Sequence, residues 1–352
     1  MKLTVTVNLN VRVGKPGLNA PCYQYIAPGS ILEVDGTLYP GDKYDGISTW
    51  YKDEAGNYYW SGGVEEENEN THDYPDWMSE LKIPTIWKYS TGKDVGVAVV
   101  DTGIDIQNED LIYNRDKYFV FDKAISLQDQ IGHGTHCAGL IGAKNKIGQA
   151  IGVAPDCNLF VCKIADRGSL DESDCIRYAE AINWCADQDN IHVISISWGS
   201  FLDDTAIIDK IQTAINYATL KNKVVVCAMG DASQFNDPGP LYPVSLSNTI
   251  GIGSIPVENI LYPYINDHLL TSTTGTNIPS YGLGKTIVKL SGTSQSNAII
   301  AGIISLIIKK RNFNYTPSEI KEVLSSLSIN EIYKGIKIPL LSGELLVRYF
   351  QS

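Results

Sequence analysis

An alternation that begins near residue 77 limits the fold more than any other feature of this sequence. Short apolar runs rich in Val and Ile (95–100, 159–164, 193–197, 224–228 and 250–253) are separated by longer helix-like segments, among them 171–188, 205–220 and 317–326. A strand that is apolar at every position must be covered on both faces, and helices packed on each side provide that cover. The expected fold class over residues 77–352 is therefore α/β, a mostly parallel sheet with helices on both faces. In such sheets, functional side chains collect just past the carboxyl ends of the strands. Residues 298–308 are apolar nearly all round and read as a buried helix. That run is about half the length a bilayer span needs.

Charge and composition exclude several classes. The chain has 352 residues, enough for about two domains, and 43% of them are hydrophobic, so a sizeable core is available. Lys and Arg total 28 against 40 Asp and Glu, a net charge of −12. Nucleic-acid affinity depends on neutralising phosphate with basic residues, so no nucleic-acid partner is expected. The same balance is poor for an anionic membrane surface, and no membrane partner is expected. Residues 1–13 alternate apolar and polar side chains without an apolar block after a basic tip. They read as a strand rather than a secretory leader, and a cytoplasmic location is expected. Seven cysteines (Cys22, Cys137, Cys157, Cys162, Cys175, Cys185 and Cys227) form no paired framework and no Cys-x-x-Cys. They read as reduced, mostly buried thiols, and zinc is not expected.

Residues 1–63 have a different texture. Short strand-like runs (3–7, 31–34, Trp50-Tyr51, 58–60) are broken by Pro16-Gly17, Pro28-Gly29 and Pro40-Gly41. This spacing predicts a small all-β barrel. Leu9-Asn10-Val11-Arg12, Gly14, Pro16, Gly29-Ser30-Ile31-Leu32, Val34, Trp50-Tyr51 and Tyr58-Tyr59-Trp60 resemble bacterial Src-homology-three-like domains. The resemblance implies peptide or glycan binding, or packing against a neighbour; each aromatic equally suits the core. Residues 64–76 are acidic and read as a solvated linker.

Three segments of the larger region carry chemistry. In Val99-Val100-Asp101-Thr102-Gly103 a carboxylate ends an apolar strand. In Gly132-His133-Gly134-Thr135-His136 an imidazole sits where small residues open a helix. In Ser291-Gly292-Thr293-Ser294-Gln295 a hydroxyl begins the buried helix. Acyl transfer needs a nucleophile, a base and an acid that orients the base. Asp101, His133 and Ser294 supply them, with Ser291 and His136 the alternatives inside their segments. A helical metal pair needs histidines four apart with a carboxylate between them, and His133 and His136 meet neither condition. The order Asp, His, Ser is that of subtilisin, and no Gly-x-Ser-x-Gly elbow is present.

With Gly152-Val153-Ala154-Pro155, Ser197-Trp198-Gly199 and Leu241-Tyr242-Pro243, these segments resemble the subtilisin-like serine endopeptidases over about residues 77–345. The resemblance implies hydrolysis of peptide bonds in a protein or peptide substrate through an acyl-enzyme. It makes Ser294 the nucleophile and an oxyanion donor, His133 the base and Asp101 its orienting acid. It also implies a substrate strand at Ser197, Trp198 and Gly199 and a pocket near Met229 and Gly230, although Trp198 can also simply pack. No cofactor is required. A structural calcium is possible, with Asp110 and Asn145 the ligands that the resemblance suggests, though Lys146 beside them is unfavourable to a cation.

Departures from the family pattern matter as much. Asp231 stands where the family has an oxyanion-hole amide. Ionised, it repels the oxyanion; protonated, it donates one hydrogen bond. The rival reading is a weak or inactive protease fold that only binds peptides. The family's helical proline is Ala298. Selective processing of a protein partner, with the N-terminal barrel as the regulatory or recruiting element, is the expected use; an exported, wall-associated enzyme is a further option.

Overall fold

The computed structural model describes residues 1–66, 74–122, 125–146, 150–167, 170–230, 241–255, 267–333 and 335–352. They form two compact units, Met1–Tyr74 and Pro75–Ser352.

The first unit is all β: β1 (Lys2–Val5), β2 (Leu9–Val13), β3 (Cys22–Ile26), β4 (Ile31–Glu33), β5 (Tyr39–Tyr44), β6 (Ile47–Lys52), β7 (Asn57–Trp60) and β8 (Val64–Glu66). The strands make two antiparallel sheets, β4-β1-β8 and β3-β2-β7-β6-β5. Leu3, Val5, Leu9, Val11, Leu32, Val34, Tyr51 and Tyr59 form its core. The expected linker starts too early. Val64 pairs with Val5, Glu65 with Thr4 and Glu66 with Leu3, so the chain's first acidic residues after Gly63 close a sheet. Alternation placed the strands; pairing across sixty residues lay outside any local pattern.

The second unit opens with α1 (Asp76–Glu80) and α2 (Ile83–Ile86), then β9 (Gly96–Asp101), β10 (Phe119–Val120), α3 (His133–Gly142), β11 (Asn158–Lys163), α4 (Ile176–Ala186), β12 (Val193–Ile196), β13 (Ser200–Phe201), α5 (Thr205–Leu220) and β14 (Val224–Ala228). It continues with β15 (Leu241–Tyr242), β16 (Thr249–Ser254), β17 (Leu269–Thr273), β18 (Ile278–Tyr281), β19 (Ile287–Leu290), α6 (Thr293–Lys310), α7 (Pro317–Ser326), β20 (Ser328–Tyr333), β21 (Ile336–Leu341) and α8 (Gly343–Gln351). Nine strands form one sheet in the order β10-β11-β9-β12-β14-β16-β17-β21-β20. All neighbours are parallel except β20 and β21. β9, β12, β14 and β16 are buried at every position, as continuous apolar strands require.

Local chemistry sets the helix starts. Asp204 accepts from the amides of Ala206 and Ile207 at the head of α5. Thr316 and Glu319 form a reciprocal capping box at α7, with Pro317 in the first turn. The segment expected to be helical from Asp171 runs first as a 3₁₀ turn over Glu172–Cys175 and becomes α only at Ile176.

Register brings the site together. Val100 pairs with Ile196, and Ile196 with Cys227. Asp101, Ser197 and Ala228 are therefore the next residues on three adjacent strands, level at the carboxyl rim of the sheet. Helix α6 packs against β12, β14 and β16, and α3 packs on α6. No described helix is long and apolar enough to cross a membrane.

Candidate active site

Asp101 ends β9 with its side chain fully buried. One of its oxygens accepts from the amide of Thr102 at 2.8 Å. His133 is the first residue of α3, and its Nδ1 donates to Asp101 Oδ1 at 2.8 Å and Oδ2 at 3.0 Å. A glycine allows this approach: a Cβ on Gly134 would lie 2.4 Å from the Gly103 carbonyl and 3.1 Å from Asp101 Cβ. The bond to Asp101 fixes the tautomer with hydrogen on Nδ1, leaving a lone pair on Nε2. The His133 side chain is 23% exposed, and the Trp198 ring stands edge-on to it, 5.8 Å between centroids.

Ser294 is the second residue of α6, after Gly292. Its Oγ donates to the Ser197 carbonyl at 2.9 Å, and Ser197 Oγ donates to the Ser294 carbonyl at 3.0 Å. A hydroxyl has one hydrogen, so Ser294 must give up the bond to Ser197 before it can give that hydrogen to His133. Catalytic hydrogen bonds are commonly loose without substrate. Beneath this pair, Asn297 Nδ2 donates to Ser195 Oγ and Ser197 Oγ, each at 3.1 Å, and ties α6 to β12. The backbone amide of Ser294 lies in the first helical turn, which leaves it without an intrahelical partner.

His133, Ser197, Trp198, Gly199, Gly230 and Ser294 line one cleft of about 700 Å³. Ile131, Leu170, Phe201, Ala228 and Leu241 give it apolar walls. Two glycines keep Leu241 in place: a Cβ on Gly199 or on Gly230 would come within 2.7 Å of its side chain. Trp198 and Gly199 follow the last residue of β12 and lie outside its ladder, where an extended peptide can add main-chain hydrogen bonds.

Met229 does not belong with them. It is fully buried and packs in the core under the sheet, so its place beside Gly230 in the chain misled. Successive residues at a strand end point to opposite faces. Asp231 falls outside the described residues. Ser291 and His136, the alternatives within their segments, hold structure instead. Ser291 Oγ accepts from the amide of Asn277 at 2.8 Å. His136 donates through Nε2 to the Ile278 carbonyl at 3.0 Å, and burial pushes its imidazole down to about 4.

Sequence reasoning missed Asp129. Its buried carboxylate accepts from the amides of Ile131, Gly132 and Thr135 and from the Thr135 hydroxyl, all between 2.7 and 2.9 Å. Burial alone would raise its pKa; these hydrogen bonds outweigh it and hold the carboxyl below its ordinary value. Asp129 thereby fixes the chain on both sides of His133. An acid three residues ahead of a Gly-His-Gly run was the available signal.

Among the described residues, Asp110 and Asn145, suggested for calcium, are not gathered with further ligands into a cation site. Asp110 is fully buried, accepts from the Lys146 amide at 2.5 Å and takes the Tyr281 hydroxyl on its other oxygen. Hydrogen-bond donors face the carboxylate where a calcium ion needs further oxygens. Asn145 sits with φ 56° at the turn before Lys146. Among the described residues, the one cluster of three metal-ligating types is Asp101, His133 and Cys137. Burial holds the Cys137 thiol well above its ordinary pKa, so it packs as a neutral group.

Comparison with known proteins decides the family. Residues 92–331 match the Subtilase family, Peptidase_S8. This chain is a subtilase. It is a serine endopeptidase, as the subtilisins it resembles are. The subtilase is 30% identical to Subtilisin NAT of Bacillus subtilis subsp. natto over 281 residues, 77% of this chain and 72% of that protein. It is likewise 30% identical over 254 residues to the Major intracellular serine protease of Bacillus subtilis (strain 168), covering 69% and 77% of the two chains. In fold it matches MycP1 from Mycobacterium smegmatis, with a TM-score of 0.65, 22% identity, and 80% and 86% of the chains covered.

Proposed function

We propose that this serine endopeptidase works through Asp101, His133 and Ser294. The observation that carries the reading is His133 held on buried Asp101 at the lip of the cleft that Ser294 also lines. Ser294 Oγ turns from the Ser197 carbonyl, attacks the scissile carbonyl carbon and passes its proton to His133 Nε2. The carbonyl π electrons move onto oxygen, beside the free amide of Ser294. Collapse breaks the C–N bond as His133 returns the proton to the leaving amine, and water repeats the sequence to free the acyl group. Asp101 stays ionised and stabilises the imidazolium.

The substrate lies extended along Trp198 and Gly199 with an apolar side chain toward Leu241, Leu170 and Phe201. The use we favour is selective cutting of a protein partner, with the N-terminal unit as recruiter or regulator. Two features favour the rival, a peptide-binding module without turnover: the carboxyl at position 231, and the Ser294 hydroxyl donating to the Ser197 carbonyl. A fluorophosphonate separates them. Stoichiometric labelling of the full chain that disappears in Ser294→Ala supports the triad; an unlabelled wild type supports the binding module.

A further inference from the structure

Ser294 offers one oxyanion donor, its own amide. A tetrahedral oxyanion needs a second, and the sequence has a carboxyl, Asp231, where relatives carry an amide. Gly230 cannot stand in, because its N–H is committed to Thr293 Oγ1 at 3.0 Å. The next residue in α6 after the nucleophile is Gln295. It lines the same cleft as Ser294 and His133, and it is the one side-chain amide among the described residues that do. Gln295 is 1% exposed, and its Nε2 makes no hydrogen bond. A buried amide left unpaired is costly, and native structures rarely keep one without a use. The terminal torsion of Gln is soft and two-fold, so a half-turn exchanges its nitrogen and oxygen and presents either end to the same point.

We propose that the Gln295 amide is the second oxyanion donor, replacing the amide lost at position 231; this rests on Ser294 being the nucleophile. Gln295 transfers no proton. It donates a hydrogen bond to the carbonyl oxygen as that oxygen gains negative charge, and it has no such partner in the resting enzyme. Its contact therefore belongs to the transition state, and its loss should fall on kcat.

The test is Gln295→Met in the full chain, a change that keeps length and removes the donor. With a chromogenic peptide anilide, kcat should fall about 10²-fold or more with KM little changed; the size is borrowed from loss of one oxyanion donor in subtilisin itself. Inactivation by a fluorophosphonate, whose phosphoryl oxygen occupies the same place, should slow in parallel. The melting temperature should hold or rise, since an unpaired buried amide gives way to an apolar chain of similar volume. Gln295→Glu, equal in size, is the second reading if the Met variant does not fold, and it should be slower still because its charge opposes the oxyanion. A Met variant with wild-type kcat and labelling would overturn the assignment, as would a loss confined to KM. Lost activity together with a lowered melting temperature would make Gln295 a packing residue and overturn it equally. A wild type that takes no label at Ser294 would remove the triad and this donor together, whereas normal labelling with an unaffected Met variant would remove the donor alone.

Discussion

Asp101 carries the heaviest single-residue demand in this molecule. It is fully buried, bonded to the Thr102 amide and bonded through both oxygens to His133. Asp101→Asn keeps the shape, but its amide can face Nδ1 with a donor and so reverse the tautomer. We expect kcat to drop by about 10⁴, the size of the same change in a trypsin-type triad, with KM nearly unchanged. Steady-state kinetics on a peptide anilide checks this, and a loss below tenfold would mean that His133 does not depend on Asp101. At the same scale, Met229 shows how chain proximity misleads. It lies next to cleft-lining Gly230 and yet contributes only to the core.

Among the elements, the start of α3 decides whether His133 is usable. Gly132 precedes the helix with φ 93°, and no side chain caps it in the usual way. Asp129 supplies the missing acceptors from outside the helix. Removing it in Asp129→Ala strands the amides of Ile131, Gly132 and Thr135, the last two of them buried, and should destabilise the protein by about 2 kcal/mol at neutral pH. The pH dependence has a definite sign. The folded carboxyl titrates below the ordinary 3.8, so its contribution is complete above that value and is lost as pH falls through the lower, folded-state value. Urea unfolding of the two proteins should therefore differ most near neutrality and converge in strong acid. A gap that stays constant with pH would mean that the carboxylate charge is irrelevant. The ends of β14, α5 and α7 coincide with the ranges that periodicity alone marks out, because apolar repeat and capping residues are local signals. Val64–Glu66 was misjudged because its acidity is local while its pairing with β1 is not.

For the whole molecule, the division between Tyr74 and Pro75 separates two cores, and every residue named for the reaction lies in the second. A chain cut to 75–352 is expected to fold and to hydrolyse a short peptide at a rate close to that of the full protein. Its discrimination between a cognate protein and a generic one such as casein should fall, if the first unit recruits. Equal discrimination by the two forms would leave that unit without a part in substrate choice.

The sequence by itself determined the alternation of strand and helix in the second unit and the three residues proposed for the reaction. Strand period, helix period and the small residues around Asp101, His133 and Ser294 are all written within a few positions of each other. The tertiary structure decided what depends on partners far apart in the chain. Tyr281 donates its hydroxyl to the buried Asp110 carboxylate across 171 positions. Ser197 holds the Ser294 hydroxyl across 97. Gln295 is left as an unpaired amide at the cleft by the packing of α6 against the sheet. Such contacts follow from register and packing, which no short window of residues contains.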